Sequence, residues 1–350
     1  MTPPSKLPFI TVIIPVRNEE GHITVCLNSI LECSYPAGLL EILVVDGLSD
    51  DRTRSIVMGF CARYPSVRML DNPARVVPNA MNIGIRASRG ELVIRMDAHA
   101  NYKPDYLLLL VKWMAQLGAD NVGGVVVTRP ASESAEARAV AVILSHPFGV
   151  GNSQFRLTGL HSPVEVDTVP FGCYRREIFD RIGLYDEMFV RNQDDELNAR
   201  LRKSGGRIFL IPEIEIDYIA RESLRQLARM FYQYGYFKPL VAIKLGGPAT
   251  WRQLVPPAFT SALIVLPAAA WFVPESAVLW GIVLAAHATI NAWVSASQGR
   301  RHGWRLFPYL FCGFLLAHVT YGAGYLKGSV DFGLRRGHLK KRKRDAPLSR

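Results

Sequence analysis

Along the first half of the chain, short apolar runs alternate with segments whose apolar residues recur every three or four positions. Residues 9–16 form a continuous apolar run with Pro15 near its end, the pattern of a strand buried on both faces. In residues 19–33 the apolar positions Ile23, Cys26, Leu27, Ile30 and Leu31 mark one helical face. Residues 42–45 predict a second strand, 51–64 a second helix, 67–70 a shorter third strand and 78–88 a third helix. Leu92, Val93, Ile94 and Met96 form a fourth strand-length run after Gly90. A helix over 103–117 opens with Pro104 near its first turn, and residues 122–128 read as a further strand. Strands alternating with helices of this length predict an α/β fold with a doubly wound, mostly parallel sheet.

Beyond this point the pattern loosens. Residues 135–144 predict a helix lying on a membrane or over an active site. Residues 149–163, rich in Gly, Ser, Asn and Pro, predict a loop long enough to be functional. Helices are expected over 177–182 and 195–203, and strands over 207–211 and 214–219. Residues 223–244 predict a long helix with aromatic residues on one side and Arg225, Arg229, Lys238 and Lys244 along it. A basic, aromatic helix ahead of apolar spans suits a bilayer interface. Three uncharged stretches follow, over 254–273, 276–297 and 306–326, each near the ~20 residues that a helix needs to cross a bilayer core. Trp251, Arg252, Arg300, Arg301, Trp304 and Arg305 flank them. The plan that results is a cytoplasmic α/β domain over 1–222, an interfacial helix and linker over 223–252, two or three membrane segments over 253–328 and a basic tail over 329–350. Three full spans would carry the tail across the membrane, against the tendency of basic residues to stay inside. The third stretch is also the most polar, with His318, Tyr321, Gly322 and Gly324, as a re-entrant or protein-packed segment would be.

Charge and cysteine usage narrow the setting. The formal net charge is +11, concentrated partly in Arg335, Arg336, Lys340, Lys341, Arg342, Lys343 and Arg344. Beside apolar segments such a cluster suits anionic membrane lipids. No recognition motif accompanies it that would point to nucleic acid. The five cysteines are scattered and lack CxxC spacing, which speaks against a disulfide framework or zinc site and for a reducing compartment. The N-terminus has no apolar signal-peptide core, so the first domain is expected on the cytoplasmic face of the inner (plasma) membrane.

The candidate chemistry sits where the strands end. Asp97 and His99 are two residues apart, so in extended geometry they point the same way. They fall at the carboxyl end of a strand, where open parallel sheets bind ligands. An Asp oxygen and a His nitrogen can share a divalent cation and leave positions open for a nucleotide diphosphate. The alternative is an Asp capping the next helix beside a loop His. Asp46 can accept hydrogen bonds from a base or ribose, while Ser49 or Asp51 can cap the helix that follows. Pro15, Arg17, Asn18 and Glu19 bring a polar cluster to the same edge, and Asn82 and Gly84 lie beside it, Gly84 permitting close backbone approach to a ligand. In the run Asn192, Gln193, Asp194, Asp195, Glu196 the carboxylates open a helix and gain from its dipole. A cap needs one acid and two are present, which favours a second role for Asp194, that of a base.

In this order and spacing the chain resembles the family 2 glycosyltransferases of Rossmann-like GT-A fold, from residue 9 to about residue 240. That family shows a Pro-x-x-Asn-Glu start, matched at 15–19, and an Asp-rich element running to a Thr, matched at 46–53. Its Asn-x-Gly helix, Asp-x-Asp strand end and later Glu-Asp are matched at Asn82 to Gly90, Asp97 to His99 and Gln193-Asp194. With the apolar spans, the chain is similar to membrane-anchored glucosyltransferases of succinoglycan-type exopolysaccharide assembly. The resemblance implies inverting sugar transfer from a nucleotide-sugar donor, UDP-glucose, to a lipid-linked saccharide on polyprenyl diphosphate. It implies that Pro15, Glu19, Asp46 and Asn82 bind the donor, with Asp46 near the uracil or ribose. Asp97 and His99 would hold a divalent metal, Mg²⁺ or Mn²⁺, on the diphosphate, and Asp194 would take the acceptor's proton. Residues 171–176 resemble the acceptor-lining segment, with Gly172 letting backbone approach the sugar. Gln226 and Arg229 fit the Gln-x-x-Arg-Trp element of processive synthases, with Met230 in the Trp position. Arg229 would steady the diphosphate or else be an interfacial Arg. His99 stands where the family usually has Asp, which shifts the site toward Mn²⁺, and Gln193 stands where Glu is usual. Two rival readings are a processive polysaccharide synthase, which Met230 opposes, and a non-catalytic nucleotide-sugar or lipid-binding scaffold. The joint presence of Asp46, Asp97 and Asp194 opposes the scaffold.

Overall fold

The computed structural model describes residues 6–100, 102–151, 153–157, 159–248 and 250–334. The basic cluster expected over 335–344 lies outside the described residues. In chain order the elements begin β1 (Ile10–Val16), α1 (Ile23–Leu31), β2 (Leu40–Asp46), α2 (Thr53–Arg63), β3 (Val67–Asp71), α3 (Val77–Ala87), β4 (Leu92–Arg95), α4 (Tyr106–Leu117) and β5 (Asn121–Arg129). There follow α5 (Ala135–Leu144), the short α6 (Pro147–Val150), β6 (Val164–Glu165), β7 (Cys173–Arg175), α7 (Glu177–Ile182), α8 (Gln193–Lys203) and β8 (Ile208–Ile219). The chain continues in helices α9 (Leu224–Leu245), α10 (Val255–Ala269), α11 (Glu275–His302) and α12 (Phe307–Ser329). It divides into two compact units, one of residues 6–127 and 159–217, the other of 128–157 and 218–334.

The first unit is built on a sheet of strand order β3-β2-β1-β4-β7-β5-β8-β6. β1 pairs in parallel with β2 and β4, and β2 with β3. Central placement explains the largely apolar make-up of β1, whose Ile10, Val12, Ile13 and Ile14 are fully buried, with Thr11 also buried and bonded to Glu41 (2.7 Å). β7 runs antiparallel between β4 and β5. It had no signature of its own, because three residues are too few for a period to show. The two strands expected over 207–219 are one, β8, which runs through Pro212. α3 packs close on β1: a Cβ at Gly84 would press into the side chain of Ile13. The close approach that Gly84 permits is therefore to the core of the sheet.

The second unit is organised around α12. Its Leu310, Phe314 and Ala317 form a core with Leu227, Met230 and Phe231 of α9 and Ala139, Val140, Ile143 and Leu144 of α5. α5 starts where the sequence placed it, with the Ser134 hydroxyl accepting the Ala137 N–H (3.1 Å). Six of its ten residues are buried, which makes it a core helix of this unit. α9 and α12 cross at backbone contact: a Cβ on Gly235 would strike the Tyr321 carbonyl, and Cβ atoms on Gly324 and Gly328 would strike those of Tyr232 and Tyr236. Small residues at a helix seam are the usual route to close packing where no hydrophobic driving force separates lipid from protein.

Two stretches, Glu275–His302 and Trp304–Gly333, are long and apolar enough to cross a membrane. α10 has 15 residues, short of the ~20 that a crossing requires. The polar positions of the third stretch are met by protein, as a packed segment requires: 33% of its apolar window is buried, against 11% for α11. His318 Nε2 reaches the Phe148 carbonyl (2.6 Å), and its Nδ1 faces His287 Nε2 (3.0 Å). Asn291 Nδ2 donates to the Phe311 carbonyl (2.9 Å). Replacing Gly324 by leucine is expected to lower the melting temperature in detergent, since overpacking of this kind costs about 1–3 kcal/mol. Gly281→Ala, at a position with open space around it, is expected to leave it unchanged.

Candidate active site

β1 and β2 end side by side, Val16 in register with Asp46, and the turns that follow them bind each other. Asn18, at φ 55°, donates its N–H to Ser49 Oγ (2.9 Å), and its side-chain oxygen accepts the Asp50 N–H (3.0 Å). The Glu19 N–H donates to Thr53 Oγ1 (2.8 Å) and the Glu20 N–H to Asp51 Oδ2 (3.2 Å). Asp51 also accepts the Thr53 N–H (2.9 Å), so Asp51, not Ser49, tends the start of α2. The carboxylate of Asp46 is fully buried. It accepts from the Ser49 N–H (3.1 Å), the Ser49 hydroxyl (2.5 Å) and Arg54 Nη1 (2.6 Å), and Arg54 also reaches Asp71 (2.8 Å). The oxygens of Asp46 thus hold the loop in shape. Leu48 takes φ 55° at its centre, a conformation that survives only where such surroundings dictate it.

β4 supplies the second cluster. Arg95 is its last residue and is buried. Alternation puts Arg95 and Asp97 on the same side of the chain. Arg95 Nη1 donates to both oxygens of Asp194 (2.9 and 2.7 Å), and Nη2 lies 3.3 Å from Asp97 Oδ1. The guanidinium stands 5.4 Å over the ring of Phe171, itself at φ 51°. Burial opposes the charge on Arg95, and Asp194 and Asp97 more than offset it, raising its pKa. The other oxygen of Asp97, Oδ2, faces His99 Nε2 at 4.0 Å, while His99 Nδ1 is 3.7 Å from Glu19 Oε1.

These residues fit a divalent cation. Two ligand atoms of one ion with bonds of ~2.1 Å stand at most ~4.2 Å apart, and Asp97 Oδ2 and His99 Nε2 lie within that span. Glu19 lies on the Nδ1 side of the ring, 3.7 Å away and beyond hydrogen-bond reach, while Nε2 faces Asp97. Among the described residues no group of three or more His, Cys, Asp or Glu side chains gathers to hold a metal. The Asp97 oxygens go to Arg95 and His99 and not to a helix cap; α4 is preceded by Asp105.

Asp194 lies in the first turn of α8, behind Asn192 in the left-handed region at φ 60°. Both of its oxygens are engaged by Arg95, and 21% of its side chain is exposed. Burial raises its pKa; Arg95 opposes the rise and Asp97 adds to it. The helix is held from behind by Arg200, which pairs with Glu196 (2.7 and 2.8 Å) and donates to the Leu184 carbonyl (2.8 Å).

The remaining candidates fall in other places. Asn82 is buried, and its amide bonds the Tyr185 backbone in both directions (2.9 Å each), fixing the turn ahead of α8. Pro15 is half-buried in β1, opposite Val45. Gly172 makes room for Asn121 and Tyr174, whose atoms a Cβ would meet. Arg229 is exposed on α9, in the second unit. Sequence reasoning missed Arg95 and Arg54. The signal for Arg95 was a lone charge inside a strand otherwise made of Leu, Val and Ile.

Solved structures share this architecture. A mannosyltransferase from Pyrobaculum calidifontis, in complex with GDP-Man and Mn²⁺, aligns with TM-score 0.57 and 22% identity over 91% of this chain and 88% of that one. TarS of S. aureus, residues 1–349 in complex with UDP, aligns with TM-score 0.50 and 15% identity over 93% and 91%. The fold is GT-A, with apolar helices following it. The glycosyl transferase family 2 profile matches residues 11–183. Succinoglycan biosynthesis protein ExoA of Rhizobium meliloti is 28% identical over 92% of this chain and 95% of its own length. The dolichyl N-acetyl-alpha-D-glucosaminyl phosphate 3-beta-D-2,3-diacetamido-2,3-dideoxy-beta-D-glucuronosyltransferase of Methanococcus voltae is 30% identical over 67% and 74%. The chain belongs to the family 2 glycosyltransferases.

A base of raised pKa loses its ionised form at a higher pH than an ordinary carboxylate. The acidic limb of kcat/KM against pH is therefore expected above the ordinary Asp value of 3.8, with activity falling as pH drops through it. A limb at or below that value would remove Asp194 from the rate-determining proton transfer.

Proposed function

We propose that this glycosyltransferase is inverting and metal-dependent, moving glucose from UDP-glucose to a lipid-linked saccharide on polyprenyl diphosphate. The reaction takes place at the cytoplasmic face of the plasma membrane, in assembly of an exopolysaccharide or cell-surface glycan. The observation that carries the reading is the bridge from Asp97 through Arg95 to Asp194, which joins a cation-binding pair to a candidate base. The relatives' names support the setting: one acts in succinoglycan biosynthesis and another on a dolichyl phosphate-linked sugar.

Asp97 and His99 would hold Mg²⁺ or Mn²⁺, which would supply positive charge for the departing diphosphate. Glu19 flanks His99, and Asp46, clamped by Ser49 and Arg54, shapes the loop that receives the nucleoside. Pro15 lies in the strand beneath that loop, opposite Val45. Asp194, at the positive end of the α8 dipole, takes the proton of the acceptor hydroxyl as it attacks the sugar. Asn82 serves donor binding through the turn it fixes. The apolar helices and the basic cluster on anionic lipid keep the crevice at head-group level.

UDP release by the detergent-purified chain, with UDP-glucose and a lipid-linked acceptor, tests this. It is expected to require Mg²⁺ or Mn²⁺ and to stop with chelator. Asp97→Ala and Asp194→Asn are each expected to lower kcat at least ~100-fold and, since each takes a counter-charge from buried Arg95, to lower the melting temperature while the chain still folds. Full activity of either variant removes that residue from the mechanism, and no turnover with any nucleotide sugar overturns the reading.

A further inference from the structure

Asp194 ligates no metal in the reading above, yet it shares one guanidinium with a residue that does. We propose that Arg95 joins the cation site and the base into one charge-balanced unit, so that Asp194 sets the affinity of the Asp97–His99 pair for a divalent cation. The inference rests on the reading that this pair binds a metal.

Arg95 is confined. It is buried at the end of a central strand, roofed by Phe171, and cannot turn its charge into solvent. Its fork is asymmetric: Nη1 is chelated by both Asp194 oxygens at 2.9 and 2.7 Å, whereas Nη2 meets Asp97 Oδ1 only at 3.3 Å. The side of Asp97 that faces His99 is the opposite oxygen, Oδ2. A cation taken up there shares a carboxylate with a fixed positive charge, and like charges repel strongly where water is scarce. Asp194 draws the guanidinium toward itself and offsets its charge, which leaves Asp97 available. Without Asp194, Arg95 turns its full charge on Asp97 and competes with the metal. Without Arg95, the repulsion disappears and the affinity rises.

The two substitutions therefore move metal affinity in opposite directions, whereas structural damage would weaken binding in both. Binding of Mn²⁺ to the full chain in detergent, read by EPR of the free ion with and without UDP, makes the test independent of turnover. Asp194→Asn is expected to bind Mn²⁺ about ten-fold more weakly than wild type and Arg95→Met several-fold more tightly, within the usual range for coupled sites. Arg95→Met strands two carboxylates without their counter-charge and is at risk of misfolding. Arg95→Met combined with Asp194→Asn removes both charges of the pair and is expected to bind within about three-fold of wild type. An Arg95→Met chain that folds and binds no more tightly than wild type overturns the proposal. So does a double variant as weak as Asp194→Asn alone. Wild-type chain that takes up no Mn²⁺ overturns the cation reading itself, and this inference with it.

Discussion

A guanidinium buried at the end of a central strand is tolerable only if carboxylates come to meet it. Arg95 imposes that condition on the catalytic unit. It draws in Asp97 from two residues along the chain and Asp194 from ninety-nine away. The start of α8 must then lie against the end of β4, and everything that holds α8 serves the site. Arg200 ties the helix to Glu196 and to the Leu184 carbonyl, and Asn82 ties the adjoining turn to α3. Residues that touch no substrate in this reading fix where the base stands.

The loops after β1 and β2 are held by reciprocity. Each of the turns after β1 and β2 supplies acceptors for the other's N–H groups, so neither is shaped alone. Asn18, Leu48, Phe171 and Asn192 all adopt positive φ around the site. Such conformations are costly for residues with a Cβ, and cluster where a scaffold over-determines them. Asp46 illustrates the same economy of contacts: its carboxylate is spent on Ser49 and Arg54, and it orders the loop from within.

The helical unit solves a different problem with different means. Its helices are apolar over most of their surface, so close approach comes from glycines at the α9–α12 seam and specificity from a few polar pairs. Of the two stretches long and apolar enough to cross a membrane, the one built on α12 is the less apolar and the more buried in protein. His318 and Asn291 find carbonyl and imidazole partners inside the unit.

The amino-acid sequence alone determined the alternation of strands and helices, the strand ends that bear Asp46 and Asp97, and the order of polar motifs that marks the family. Each of these is a local pattern, carried by neighbours in the chain and by the periods of helix and strand. Sequence also placed Asp194 at the opening of a helix, but left open whether it capped that helix. Only the tertiary structure decided that question, because the answer lies in Arg95, a partner ninety-nine residues earlier. The antiparallel insertion of β7 and the packing role of Gly84 against Ile13 were likewise beyond local pattern. A three-residue strand has no period, and a glycine's reason lies in whatever presses on it. What the chain encodes nearby can be read in order; what it encodes by long-range charge and contact appears only once it is folded.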